Sequence, residues 1–192
     1  RIVRTYSPVL ADILRAHNTR VARAYSPFDW TLPPAWIPPV PSSPVRIVYA
    51  TSRIDHDPIF DDIADEVYAA MLELGDRAEL HLHGYQPDRL AGLPNVVAHP
   101  YNRNYDAFMR QFTRDGYAIG LAPVPDHLFY NCKTNTKVRD YSAAGAVGLY
   151  SATPLYHEYV RDDVTGVLVP NRPGAWKQAI CDLALDPVRI ER

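Results

Sequence analysis

Only two cysteines occur in the 192 residues, Cys132 and Cys181. They lie too far apart for a metal-ligand spacing and are too few for the framework of a small secreted domain, so a reducing compartment is expected. Long apolar runs are missing too: none approaches the roughly 18 residues that a membrane-spanning helix needs. No leader peptide is read, because Arg1-Ile2-Val3-Arg4 opens directly on a strand-like pattern; a start without Met is expected of a trimmed chain. Nor is there an excess of one charge. The 20 basic side chains face 22 acidic ones for a net charge of −2, which is not the broad basic field of a nucleic-acid binder. Two phosphate-binding signatures are also absent, the glycine-rich dinucleotide fingerprint and the G-x-x-x-x-G-K loop.

What is present is core material, at 47% hydrophobic, in a chain long enough for one domain or one domain and part of another. Three regions differ in composition. In residues 1–26, Ser7 can cap a helix that Pro8 opens, with Leu10, Ile13 and Leu14 on one face, and residues 21–25 alternate like a short strand. Residues 27–44 read as a linker. Pro27, Pro33, Pro34, Pro38, Pro39, Pro41 and Pro44 break helices and remove sheet donors, while Trp30, Trp36 and Ile37 are too apolar for a free tether, so the segment is expected to lie pinned against a surface.

From residue 45 onward strands and helices alternate. Strands are expected at 45–50, 78–83, 96–99, 117–122, 146–150 and 166–169. Helices are expected at 58–74, 103–113, 134–144, 154–160 and 176–185, with Gly75 and Gly145 ending two of them. Such alternation implies parallel crossovers, hence a doubly wound, mostly parallel α/β sheet. No internal repeat or low-complexity tract is seen.

Open parallel sheets bind ligands beyond the carboxyl ends of their strands. That rule selects residues 51–57, 84–86, 100–103 and 123–135. The last loop runs into Phe129-Tyr130-Asn131-Cys132-Lys133-Thr134-Asn135-Thr136-Lys137-Val138-Arg139-Asp140-Tyr141. A helix starting near Thr134 would offer unpaired amides and a positive dipole end, which favour a phosphate. Lys133 precedes it, and Lys137 and Asp140 share one of its faces. Cations near a diphosphate and a carboxylate near a ribose diol are what a sugar nucleotide requires. The same residues also compose an ordinary solvated helix face with an ion pair, and their spacing alone leaves both readings open.

The stretch from Phe129 to Trp176 resembles the C-terminal donor-binding domain of GT-B glycosyltransferases, in particular the large retaining group (group 1, or family four type) that builds bacterial surface polysaccharides. The resemblance is carried by residues 137–145, Ser151, residues 156–160, Asp163-Val164-Thr165-Gly166-Val167-Leu168-Val169 and Asn171 to Trp176, in that order, and by the first loop at 56–60. It implies a Rossmann-like half of a GT-B fold at 45–192, the tail of an N-terminal acceptor domain at 1–26, and an interdomain linker at 27–44. It places Asp140 where the second carboxylate of a spaced Glu pair holds the donor ribose. The first would fall at Cys132, whose thiol cannot do a carboxylate's work on sugar hydroxyls, leaving Asn131 or Asn135 as substitutes. Arg53 is the expected partner of the diphosphate. Tyr101 is expected at the base pocket and Gly84 at a close backbone approach. With Lys133, Thr136 and Lys137 these complete the expected nucleotide site.

The activity implied is transfer of a sugar from a nucleotide-diphosphate sugar to a glycan or lipid-linked acceptor held by the missing N-terminal domain. The transition state would be oxocarbenium-like, and the lysines, arginine and helix end would take the place of a metal. No cofactor beyond the donor and no nucleic acid are expected, and the fragment alone is expected to be inactive. A cytoplasmic location follows, with possible peripheral association at the inner membrane face. Two other classes compete: a non-catalytic scaffold or interaction domain, to which Cys132 points, and a sugar-nucleotide epimerase.

Other constellations read more plainly. Asp55-His56-Asp57 and the pair His81 and His83 could ligate a metal, but neighbouring residues rarely converge and no third ligand is evident beside the histidines. Cys132 lacks a paired histidine for nucleophilic work. Among Tyr101, Tyr105, Tyr130 and Tyr141, only Tyr101 and Tyr130 are expected near the cleft. Asp61, Asp62, Asp65 and Glu66 read as an exposed, dipole-favoured helix start.

Overall fold

A computed structural model describes residues 1–33 and 43–191. The Pro-rich stretch 34–42, with Trp36 and Ile37, lies outside the described residues. Of the preceding segment, Leu32 is buried and Phe28 packs against the same core.

The main sheet has six strands: β3 (Val45–Ala50), β4 (Ala78–His83), β5 (Val96–His99), β6 (Ile119–Ala122), β7 (Val147–Ser151) and β8 (Val167–Val169). All neighbours are parallel, in the order β5-β4-β3-β6-β7-β8. Renumbered from β3, that is 3-2-1-4-5-6, the doubly wound order whose connections reverse direction between the two central strands. The switch point lies between β3 and β6.

Alternation along β3 builds two cores. Ile47 and Tyr49 face α3 (Ala64–Leu74) and α8 (Ala175–Ala184), through Val67, Met71, Trp176 and Ile180. Val48 and Ala50 face the opposite layer, α4 (Tyr105–Phe112), α6 (Thr136–Ala144) and α7 (Pro154–His157), through Met109, Phe112, Tyr141 and Tyr156. Helices cover both faces, so the strands read as apolar runs. On the second face Tyr141 lies against Gly120 of β6, where any Cβ would come within 2.5 Å of its ring, and its hydroxyl donates to the Leu121 carbonyl.

Several expected boundaries shift. The helix predicted over 58–74 is two pieces, α2 (Pro58–Asp61) and α3. The Ile63 amide bonds back to the Phe60 carbonyl, a tightened turn that breaks the ladder. A short α5 (Leu128–Asn131) and a final α9 (Pro187–Glu191) were not anticipated. The helix expected from Thr134 begins at Thr136, and that expected from 103 begins at Tyr105 behind the Asn104 cap.

Residues 1–26 form a small unit. Strands β1 (Val3–Thr5) and β2 (Val21–Arg23) pair in parallel across α1 (Pro8–Arg15), which Ser7 caps as expected. The unit docks beside α5 and α7: Ser7 Oγ donates to the Asn131 carbonyl at 3.1 Å, Arg23 pairs with Glu158, and Tyr159 donates to the Tyr6 carbonyl.

Candidate functional site

At the switch point the strands end and the loops diverge, opening a cleft of about 630 Å³. Its floor is the ends of β3 and β6. One wall is the start of α4, with Tyr101 and Tyr105; the other is the start of α6 and the loop before it, with Tyr130, Lys133, Thr134, Thr136, Lys137 and Asp140. Arg53 approaches from the loop after β3. Of the expected residues, six thus line one cavity: Arg53, Tyr101, Lys133, Thr136, Lys137 and Asp140.

Three do not line it. Gly84 sits at φ +98, and a Cβ there would lie 2.3 Å from the Thr51 carbonyl oxygen. Its close approach is to the neighbouring strand end, so its requirement is structural. Asn131 is buried, with its amide donating to Asp126 at 2.8 Å and its carbonyl held by Ser7. Asn135 precedes α6 and its side-chain oxygen accepts from Arg139 at 3.0 Å. Cys132 ends α5 and is likewise absent from the walls.

The cation side is built with care. Asn135 makes no side-chain cap and no acidic residue occupies the first turn of α6, so the helix start keeps its positive end open toward the cleft. Lys133 Nζ lies 4.8 Å from the ring centroids of both Phe129 and Tyr130, contacts that hold the ammonium without neutralising it. Burial, with the Arg53 charge adding to it, lowers the Lys133 pKa, against the pull of Asp57. Burial also lowers that of Lys137, opposed by Asp140 and Asp57. Both cations are therefore held where their charge is disfavoured, a condition an arriving anion relieves. Arg53 is fixed from behind by fully buried Asp57 at 3.5 Å, and Asp57 accepts from Tyr49 Oη at 2.7 Å.

Asp140 is 4% exposed. Burial raises its pKa; Lys137, Tyr105 and Arg139 oppose the rise. Lys137 Nζ stands 3.9 Å from Oδ2, and Tyr105 Oη donates to Oδ1 at 3.2 Å. Tyr105 was not expected at the site. It is the first residue of α4 and meets Asp140 across 35 positions of sequence, a contact no local pattern encodes. Tyr101 and Tyr130 both line the cleft, and Tyr141 is core.

The remaining constellations dissolve into packing. Among the described residues no group of three or more His, Cys, Asp or Glu is placed to hold a metal ion. In the first loop Asp57 turns inward while Asp55 and His56 stay exposed. His81 and His83 do share a face, where they join His99 in a stack beneath α4. His83 and His99 have ring centroids 4.3 Å apart, His81 Nδ1 meets His99 Nε2 at 2.8 Å, and His83 Nε2 meets Tyr117 Oη at 2.7 Å. Glu66 is not merely an exposed acid. It accepts from the amides of Gly174, Trp176 and Lys177 at 2.9, 2.8 and 3.1 Å, capping α8. Among the described residues no helix is long and apolar enough to cross a membrane.

No protein-family model matches the chain, and no curated protein matches it in sequence. Solved structures do match in shape. S. aureus TarM, in a complex with fondaparinux, alpha-GlcNAc-glycerol and UDP, superposes with a TM-score of 0.73 at 10% identity, covering 99% of this chain and 38% of that one. Anabaena HepE with UDP-glucose gives 0.70 at 13% identity, covering 99% and 56%. The sucrose-phosphate synthase of Thermosynechococcus elongatus gives 0.67 at 16%, covering 99% and 50%. The chain spans about half or less of the length of these proteins. With its parallel six-stranded sheet in doubly wound order, it has the fold of the C-terminal domain of GT-B glycosyltransferases.

Proposed function

We propose that the chain is the donor-binding part of a glycosyltransferase that transfers a sugar from a nucleoside diphosphate sugar to an acceptor. One observation carries this reading. At the topological switch point an uncapped helix start, Arg53, Lys133 and Lys137 converge on the same cleft as the buried carboxylate of Asp140. The cations and the α6 amides suit a diphosphate; Asp140, one turn further in, suits a ribose diol; Tyr101 at the mouth suits the base.

In this reading the chain contributes to chemistry by stabilising the leaving group. As the anomeric C–O bond of the donor breaks, negative charge gathers on the departing diphosphate. Arg53, Lys133, Lys137 and the helix end are already oriented to receive it, without a metal. Transfer with retention at the anomeric carbon, and an acceptor from surface polysaccharide or lipid-linked glycan synthesis, complete the proposal. Residues 1–26 belong to the acceptor domain. Their two-stranded sheet is too small to stand alone, which supports that assignment.

Titration calorimetry with UDP and UDP-sugars tests the reading. Binding that Lys137→Ala weakens supports it; no heat with any nucleotide or nucleotide sugar, in the longest natural form of the protein, sinks it. A second reading, a non-catalytic module that keeps the fold, is favoured by Cys132 standing where the resemblance expects a carboxylate and lying outside the cleft walls. Release of nucleoside diphosphate from a donor, lost in Asp140→Ala, excludes it.

A further inference from the structure

The inference rests on the nucleotide-sugar reading above. Tyr105 is 48% exposed at the cleft mouth, yet its hydroxyl crosses the cavity to the buried Asp140, donating to Oδ1 at 3.2 Å. The other oxygen, Oδ2, is 3.9 Å from Lys137 Nζ, too far for a direct hydrogen bond. Among the described residues, Tyr105 is therefore the hydrogen-bond donor to this carboxylate. A buried carboxylate is costly to leave without one. Burial, and then the charge of Asp140, push the phenol pKa up to about 12, so it keeps its proton at neutral pH.

A phenol presents to a carboxylate what a sugar hydroxyl presents, a single O–H. The two compete for the same acceptor. Their freedom differs: the half-exposed ring of Tyr105 can turn its hydroxyl into water, whereas Asp140 is fixed inside α6 and cannot follow.

We propose that Tyr105 competes with the ligand at the ribose end and limits how strongly Asp140 favours a diol. Its hydroxyl holds Asp140 Oδ1 in the empty cleft and is displaced by the vicinal hydroxyls of a ribonucleoside diphosphate, so that a ligand without the diol leaves the Tyr105–Asp140 bond in place. Such a ligand meets no exchange cost but gains nothing from the carboxylate, so Asp140 separates ribose from sugars lacking that diol by a margin that Tyr105 narrows.

Calorimetry on the chain and on its Tyr105→Phe variant decides the matter, using UDP and 2′,3′-dideoxyuridine diphosphate as probes. The variant keeps the ring and removes the competing donor. It is expected to bind UDP about two- to tenfold more tightly, the size of one exchanged hydrogen bond, with dideoxyuridine diphosphate affinity unchanged. Unchanged or weaker UDP binding by Tyr105→Phe overturns the inference, as does an equal gain for both ligands. If the longest natural form of the parent binds neither UDP nor any other nucleotide or nucleotide sugar, the nucleotide-sugar reading falls and this inference falls with it. If the parent binds UDP and Tyr105→Phe is silent, only the inference is lost.

Discussion

The ring of Tyr141 lies flat against Gly120, so closely that a methyl group at position 120 would sit 2.5 Å from it. This is one of the contacts that seat α6 on the sheet, and α6 carries Lys137 and Asp140. Gly120→Ala is therefore expected to cost about 1–3 kcal/mol of stability by overpacking, and to weaken UDP binding by displacing the helix. Urea denaturation measures the first effect and calorimetry the second. A variant as stable as the parent contradicts the packing account.

Lys137 sits at the open start of α6 with its charge disfavoured by burial. Lys137→Ala should weaken UDP binding by about ten- to a hundredfold, the range for a charge-assisted hydrogen bond. Lys133→Ala should cost less, because Phe129 and Tyr130 hold its ammonium nearer solvent. Affinities measured across a salt series check both. A Lys137→Ala protein with parental affinity would remove the diphosphate from this cleft.

Glu66 caps α8 through three backbone amides. Replacing it with Ala leaves those donors to water and should lower stability by about 1–2 kcal/mol, read as a lower urea midpoint. Glu66→Gln should recover part of the loss, since its amide oxygen can still accept.

The histidine stack predicts a pH dependence. Burial, helped by the charges of His99, His81 and Lys137, lowers the His83 pKa to about 3, and burial with His81 lowers that of His99. The unfolded chain titrates near 6.5. Below that pH it binds more protons than the folded chain, so stability is full above about 6.5 and declines as pH falls toward the folded values. Thermal melts should show Tm dropping between pH 7 and pH 5, with a shallower drop in His83→Gln. A Tm flat across that interval refutes the lowered pKa values of His83 and His99.

Much of the fold was legible. The apolar runs at 45–50 and 78–83, separated by helical periodicity, specified parallel strands before any contact was known, because burial on both faces removes polar residues from such strands. Lys137 and Asp140 could be placed on one face because helical spacing is local. The break at Asp62-Ile63 was hidden, since Ile59, Ile63 and Val67 keep helical periodicity straight across it. Asn131 looked like a ligand group because its burial and its side-chain partner, Asp126, cannot be read from composition. Tyr105 was missed for the converse reason: it reaches its partner across a cavity, and sequence distance carries no record of that.

Ser7 serves both parts of the chain at once. The same hydroxyl that closes the first turn of α1 also clasps the Asn131 carbonyl, two residues ahead of Lys133. The small unit is thus moored at Ser7 next to the anion-facing loop, and at Glu158 and Tyr159 further off; Ser7→Ala should free the first mooring and leave the sheet untouched.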